Sequence, residues 1–452
     1  LYPGLNIAKV SLDPGIFVVS AWKSRIMLSS KAGSGVPPYP AREIKIFLGD
    51  RAILDYAGVE KGFLPPAGTF KKLVSYGDAI IDGGNIHTIL FDAKGYSCLR
   101  FEGLKFVNTL YDGNNKWTAA IYYGSWLQVV RCNFENLGTN SVNAQDYTVV
   151  KNCTANNVPY YGIGIFGNYC LIEENSLYGP SCRSIGAHRC SIIRYNYIKD
   201  VTKNFEGKHA DGIGFLDGGP SGDSWYGWIY GNTIDNSIEF IALYKPGGGP
   251  QYWIVHSNVF IGRVDITGFG DAGILAKGFS HLKILNNTFF GKGGKGFINA
   301  IRLSSDDGLY CSDFEIKNNI FYVETGGATI LNIGEGCATG LDIDNNLYFT
   351  SNDKPFYFQG SYKTLPDWKN LGYDVGGPSS LAIDPKFSSK ESLDLHLSSN
   401  SPCIGAGQNL NLYFTLDKDK KPRPISSKYS LGAFEPHAYD LPQAPSNLKI
   451  AE

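Results

Sequence analysis

From about residue 125 onward the chain repeats itself, and a chain with so short a period can bury its apolar side chains only against its own neighbouring copies. The repeat is an apolar residue, two variable positions, an Asn, and a β-branched or aromatic pair. It reads VRCNF from Val130, IEENSL from Ile172, IRYNYI from Ile193, IYGNTI from Ile229, VHSNVF from Val255, ILNNTF from Ile284, IKNNIF from Ile316 and IDNNLY from Ile343. VKNCTA from Val150 fits with Cys153 in place of Asn. The starts at 130, 150, 172, 193, 229, 255, 284, 316 and 343 differ by 20, 22, 21, 36, 26, 29, 32 and 27 residues, a minimum turn near 21 with insertions.

Alternating apolar residues suit a strand stacked on its copies, and an Asn at a fixed bend can hydrogen-bond its equivalent one rung away. The expected fold is all-β: a single-stranded, right-handed parallel β-helix, or solenoid, with long loop insertions and an irregular C-terminal segment. An Asn row from Asn133 to Asn346 is expected inside one bend. YGIGIF, SIGAH, DGIGF, FIALY, GILAK and AIRLS read as the second strands of successive turns, and the stretches before residue 125 as earlier rungs and a cap. With 54 Gly, 28 Tyr, 26 Phe and one Met, composition agrees with strands rather than helices. Residues 1–380 are expected to form the β-helix with its N-terminal cap, 381–440 a C-terminal extension packed on it, and 441–452 a linker toward a fibronectin-type module.

The charge balance excludes several partners. With 41 Lys+Arg against 42 Asp+Glu and no polybasic run, neither nucleic acid nor an anionic membrane has electrostatic support. No apolar run reaches membrane-spanning length, and Leu1 is not followed by a signal peptide, so the sequence reads as mature or trimmed. The nine cysteines form no CxxC or Cys/His cluster of zinc spacing. Cys132 and Cys153 read as small buried hydrophobes in neighbouring repeats.

The ladder, with Asn286-Asn287-Thr288-Phe289 and Asn318-Asn319-Ile320-Phe321 its clearest rungs, and the loop insertions resemble the pectin-lyase-like superfamily of secreted β-helix proteins over residues 15–350. The segment from Ala382 to Pro436 is similar to the end of many secreted bacterial β-helix proteins. The resemblance implies a secreted, extracellular protein acting on a polysaccharide, and a monomer is expected. The superfamily holds lyases, glycoside hydrolases, uronate epimerases and non-catalytic adhesins, so the reaction must be read from the site.

Insertions at bends build walls along a β-helix, and the largest lies between Ile193 and Ile229, in NFEGKHADGIGFLDGGPSGDSWYG. The next bends, YKPGGGPQY, GRVDITGFGDAG and GKGGKGF, are long as well. Aligning second strands on Ile185, Ile213, Ile241, Ile274 and Ile301 places His188, Tyr244 and Lys277 three residues on, nominally facing outward, with Arg189 and Lys245 one further. Asp211 and Glu239 lie two residues before the column, with Lys208 and His209 just upstream of Asp211. Arg302 on the next strand and the aromatics Trp225, Tyr226 and Tyr252 complete the expected sugar contacts.

Two chemistries use this set. β-Elimination from a uronic-acid polymer needs the carboxylate neutralised, by Ca²⁺ or cationic side chains, and a base; Lys245, Lys277, His209, Tyr244 and His188 are candidates. Asp211, Asp217, Glu239 and Asp271 are then the expected Ca²⁺ ligands. EFIALYKPGGG and GILAKGFSHLKILNNTFFG resemble the alginate lyase and chondroitinase B family, which implies Glu239 on Ca²⁺, Lys245 as base and Lys277 at that family's Arg position. Hydrolysis instead needs two carboxyl groups about 5–5.5 Å apart for retention or about 6.5–9.5 Å for inversion, and the same four acids offer them. A lyase is the leading expectation, a hydrolase the alternative, with an epimerase or a glycan binder after them.

Overall fold

The computed structural model describes residues 17–19, 25–27, 47–49, 70–75 and 79–436, less 95–96, 112–117, 180–181, 189–190, 202–209, 216–224, 245–250, 263–271, 292–298, 306–310, 325–327 and 425–426. The linker expected at 441–452 lies outside the described residues. The chain divides into two compact units, Leu1–Trp228 with Thr233–Gly249 and Thr267–Leu275, and Ile229–Asn232 with Pro250–Ile266 and Ala276–Glu452.

The first unit is a coil with three strands to a turn. Asn140–Ala144, Tyr161–Ile165, Arg183–Ala187, Asp211–Phe215 and Glu239–Tyr244 pair in parallel, rung on rung, with Val142, Ile163, Ile185, Ile213 and Ile241 in one inward column. Val149–Lys151, Leu171–Glu173 and Ser191–Arg194 stack on a second side. Asn133–Glu135, Thr154–Asn156, Ser176–Tyr178, Tyr197–Val201 and Thr233–Ser237 stack on the third. The second unit repeats the plan, for example in Val259–Gly262, Thr288–Gly291, Ile320–Val323 and Leu347–Phe349. This is the right-handed parallel β-helix that the repeat predicts, and the hand is the one parallel crossovers take.

The Asn row exists with one correction. In the first unit it runs Cys132, Cys153, Asn175, Asn196: each side-chain acceptor takes the backbone N–H of the residue one rung before, at 3.4, 2.9 and 3.0 Å. Asn133 is not a member. It pairs with Thr154 at the start of the next strand, so Cys132, not Asn133, fills the place equivalent to Cys153. Counting from Val130 rather than Val129, which pairs with Val150, shifts that repeat by one residue. Both thiols are free and buried, as small hydrophobes would be. In the second unit the row runs Asn232, Asn258, Asn287, Asn319, Asn346, and each Asn donates its amide to the carbonyl or side chain of a neighbouring rung. Asp374 ends it, accepting from the Asn346 N–H and amide at 3.0 Å and from Trp368 Nε1 at 3.0 Å.

The residue before each ladder position turns the bend with a positive φ, as at Glu174, Tyr195, Asn286, Asn318 and Asn345. Asn tolerates that conformation better than most residues. In the second unit these first asparagines of the Asn-Asn doublets have a further task. Asn286 donates to Ser430 O and Gly432 O, Asn318 to Gln408 O, and Asn345 to Ala406 O, gripping the C-terminal segment. That segment also covers Val259, Ile261, Phe290, Ile320, Tyr322 and Leu347 with Phe387, Leu395, Leu397, Cys403 and Leu431. Strands buried on both faces read as continuous apolar runs, hence VFIG and IFYV here against NFE and TAN in the first unit.

His396, in the antiparallel pair Phe387–Ser389 and Asp394–Leu397, bridges two carboxylates: Nδ1 to Asp394 at 2.5 Å and Nε2 to Asp419 at 2.7 Å. The Asp419 hydrogen bond, against the opposing effect of burial and with help from Asp394, raises the His396 pKa above 6.5. His396 in turn is the largest cause of the lowered Asp419 pKa. A raised histidine pKa stabilises fully below the unfolded value and loses that stability as pH rises through the folded one; a lowered aspartate pKa stabilises above its unfolded value. The destabilisation of His396→Gln is therefore expected to be largest at about pH 5–6 and to shrink above about pH 7. Because the side chain is partly exposed, the melting-temperature difference is expected to be small, and thermal denaturation across pH reads it.

Candidate active site

Two residues ahead of each inward Ile, the first unit carries a polar column. Asn140 accepts the Tyr161 N–H at 2.6 Å; Tyr161 pairs with Arg183, Arg183 with Asp211 and Asp211 with Glu239. The register therefore sets a phenol, a guanidinium and two carboxylates on four consecutive rungs. Arg183 Nε donates to Asp211 Oδ2 at 2.6 Å, and Arg183 Nη1 donates to Phe215 O at 2.6 Å. Tyr244, at the far end of the Glu239 strand, donates its hydroxyl to Glu239 Oε2 at 2.9 Å. Asp211 and Glu239 are fully buried.

Glycine makes the space. A Cβ on Gly214 would lie 2.6 Å from Asp211 Oδ2 and 2.7 Å from Arg183 Nε, so any other residue would push the ion pair out of place. Gly164, Gly186 and Gly214 are in register, and the space that a side chain would take at Gly164 and Gly214 is filled by Asn143 and by the Arg183–Asp211 pair.

Burial is the main cause that holds the Tyr161 phenol above its ordinary pKa, against the opposing pull of Arg183. Burial, then Glu239 and Asp211, do the same to Tyr244. Burial disfavours the charged form of Arg183, but Asp211 and Tyr161 outweigh it and raise its pKa. At neutral pH the column holds two neutral phenols and a fixed positive charge beside two acids.

Of the residues expected from sequence, Asp211, Glu239 and Tyr244 come together here. His188 does not face outward: it is buried, with Nδ1 3.5 Å from Asn168 Oδ1, because the strand Arg183–Ala187 has ended and the chain is already bending. Lys277, Arg302 and Tyr252 belong to the second unit, where Tyr252 stacks on His281 at 4.7 Å and Arg302 pairs with Asn332. Lys208, His209, Asp217, Lys245, Asp271 and Arg189 lie outside the described residues, as do the side chains of Trp225 and Tyr226 on the strand Trp225–Tyr230. Arg183 and Tyr161 were missed. Carrying the column that yields Asp211 and Glu239 back to Ile185 and Ile163 finds both.

The described residues do not fit a Ca²⁺ site. One oxygen of Asp211 is taken by a guanidinium, whose charge would repel a cation, and one of Glu239 by a phenol. Among the described residues no group of three or more His, Cys, Asp or Glu is placed to hold a metal.

No family model matches the sequence, and no curated protein does. Among solved structures the chain is similar to the pectate lyase Pel9A, at 13% identity over 81% of this chain and 88% of that one with a TM-score of 0.48. It is also similar to XylC in complex with xylose, at 11% identity over 77% and 67% with a TM-score of 0.47. An endo-xylogalacturonan hydrolase from Aspergillus tubingensis is similar at 14% identity over 69% and 88%, with a TM-score of 0.36.

Proposed function

We propose that the protein is an extracellular carbohydrate-active enzyme that hydrolyses glycosidic bonds of a polysaccharide, with Asp211 and Glu239 as the reacting carboxylates. One observation carries this reading: two fully buried acids stand in register on adjacent strands, each with a different partner. Burying a carboxylate costs several kcal/mol even when it is paired, and apolar residues would pack a coil as well. Such groups concentrate where chemistry needs them.

Adjacent strands are about 4.8 Å apart, close to the carboxyl separation of a retaining pair. Arg183 favours the ionised form of Asp211, as a nucleophile requires. Glu239, positioned by Tyr244, is the acid and then the base. With Glu239 protonated as the acid, Arg183 at +1 and Asp211 at −1 leave the set neutral, and the Asp211 carboxylate itself faces the oxocarbenium-like transition state.

Elimination from a uronate, the leading expectation from sequence, keeps one support: the phenols of Tyr161 and Tyr244 flank Arg183 and Asp211, where an acid and a base could act on an anionic sugar. The engagement of Arg183 weighs against it, since its Nε is bonded to Asp211 and its Nη1 to Phe215 O rather than left for a substrate carboxylate. Incubation with pectate, alginate, glycosaminoglycan, xylan and glucan, reading reducing ends together with 235 nm absorbance, decides. Reducing ends without the unsaturated chromophore are expected; both signals together would establish the lyase, and binding without either a non-catalytic glycan binder.

A further inference from the structure

Two free thiols of the second unit lie on neighbouring turns, out of the regular register. Cys311 falls between the strands Asn299–Ser304 and Glu315–Lys317, and Cys337 between Thr329–Ile333 and Asp342–Asp344. Ser312 bridges Thr339 in parallel, which in regular register would set Cys311 opposite Ala338. Instead the Cys311 N–H donates to Gly336 O at 3.2 Å, the bond that a residue facing Cys337 makes in a parallel ladder. A tight turn causes the shift. The Cys337 N–H donates to Gly334 O at 3.3 Å, and Gly336 takes the positive φ, +78°, that the third position of such a turn demands.

That bond sets the two cysteines one rung apart, about 4.8 Å between backbones, inside the Cα separation of about 4.4–6.8 Å that a disulfide spans. The thiols are in contact: hydrogen bonding to Cys311 is the largest cause that pushes the Cys337 thiol pKa up. Cys311 Sγ also donates to Ser304 O at 2.9 Å. Both side chains are buried, yet Asp313, Glu335 and Thr339 beside them are exposed, so they lie just beneath the surface. Cys132 and Cys153 are neighbours too, with two differences. They continue the regular register of Asn133 and Thr154, where parallel side chains hold the Cβ atoms about 4.8 Å apart, beyond the roughly 3.5–4.5 Å of a disulfide. Cys153 Sγ is also engaged by the Cys132 N–H at 3.4 Å, in the place of the Asn of the bend row.

We infer that Cys311 and Cys337 are a redox-sensitive pair that closes to a disulfide on exchange with a small-molecule disulfide, stapling the two turns together. With glutathione disulfide, the Cys337 thiolate attacks one sulfur, a Cys337–glutathione bond forms and one glutathione thiolate leaves. The Cys311 thiolate then attacks Cys337 Sγ and displaces the second glutathione. Two electrons pass to the reagent, and the two cysteine protons end on two glutathione molecules. Cys337 reacts first because it follows the exposed turn, whereas the Cys311 thiol is held by Ser304 O. The staple ties residue 311 to residue 337 in the unfolded chain as well, which lowers the entropy gained on unfolding. It is independent of the proposed reaction, since Asp211 and Glu239 belong to the other unit.

The test incubates the whole protein at about pH 8, where thiols exchange, with glutathione disulfide or with dithiothreitol, then unfolds it in iodoacetamide for peptide mass spectrometry. The oxidised sample is expected to give one peptide pair joined through Cys311 and Cys337, with Cys132 and Cys153 alkylated, and the reduced sample none. The oxidised protein is expected to melt roughly 3–6 °C above the reduced one. Cys337→Ala is expected to lose both the cross-link and the oxidant-dependent shift; because oxidised and reduced forms of the same variant are compared, any cost of the truncation itself cancels. Alkylation of both cysteines after oxidation, glutathione retained on Cys337 without a cross-link, a bond from either one to another cysteine, or a cross-link that leaves the melting temperature unchanged would each overturn the staple.

Discussion

Glu239→Gln is expected to lower turnover by about 10³-fold while leaving the fold intact, on whichever polysaccharide the parent degrades. Gln keeps a carbonyl oxygen where Glu239 Oε2 accepts the Tyr244 hydroxyl, so thermal unfolding should move little. What is lost is the proton that the side chain gives to the leaving sugar and later takes from water. A substrate whose leaving group needs no protonation, such as a nitrophenyl glycoside of the same sugar, should therefore lose far less in the first step than the polymer does. A purely structural Glu239 would show the reverse: a lower melting temperature and equal losses on both substrates. Asp211→Asn should abolish both activities alike, since a nucleophile is needed whatever the leaving group. It also leaves Arg183 buried without its counter-charge, so its stability must be measured beside its rate.

The coil was legible because its cause is local and repeated. An Asn at the bend on most rungs and an apolar residue two positions later are imposed by the same stacking, and in the second unit that residue is an aromatic, as Phe289, Phe321 and Tyr348 show with ring spacings of 4.8 and 5.3 Å. The single slip, Asn133 for Cys132, arose where a thiol replaces the amide and the repeat offered two candidate starts, Val129 and Val130. The doublets Asn286-Asn287, Asn318-Asn319 and Asn345-Asn346 also held more than was read from them, because the first Asn of each marks where the C-terminal segment docks.

The site was half legible. Asp211, Glu239 and Tyr244 stood out as charge or hydroxyl beside a strand pattern, but Arg183 follows a cysteine in an unremarkable stretch and becomes meaningful only when register sets it against Asp211. The guanidinium and phenol that engage Asp211 and Glu239 come from residues 28 and five positions away, and the other two acids expected to bind Ca²⁺, Asp217 and Asp271, lie outside the described residues.

Arg423→Ala is expected to cost about 3–5 kcal/mol, the loss that follows when one partner of a buried ion pair is removed. Arg423 is buried in the C-terminal segment. Its Nη1 donates to Glu435 at 3.0 Å and its Nη2 to Gly432 O and Ala433 O at 3.0 Å, while its plane lies 5.6 Å over Phe414 and 5.4 Å over Tyr429. Burial disfavours the charged guanidinium and lowers its pKa, with Glu435 and Asp417 as the main opposing charges. Truncation would leave Glu435 in the interior with only Ser430 to bond its carboxylate, and would take one donor each from Gly432 O and Ala433 O, which keep Asn286 and the Lys418 N–H. Arg423→Met with Glu435→Leu should restore much of the loss, because an apolar pair of similar volume incurs no desolvation cost. Urea unfolding of the three proteins measures both steps, and proteolysis within residues 401–436 reports whether the segment leaves the strands that Asn286 and Asn318 hold. An unfolding midpoint for Arg423→Ala equal to that of the parent would mean that the apolar cover over Val259, Ile320 and Leu347 secures the segment alone, with the ion pair contributing nothing.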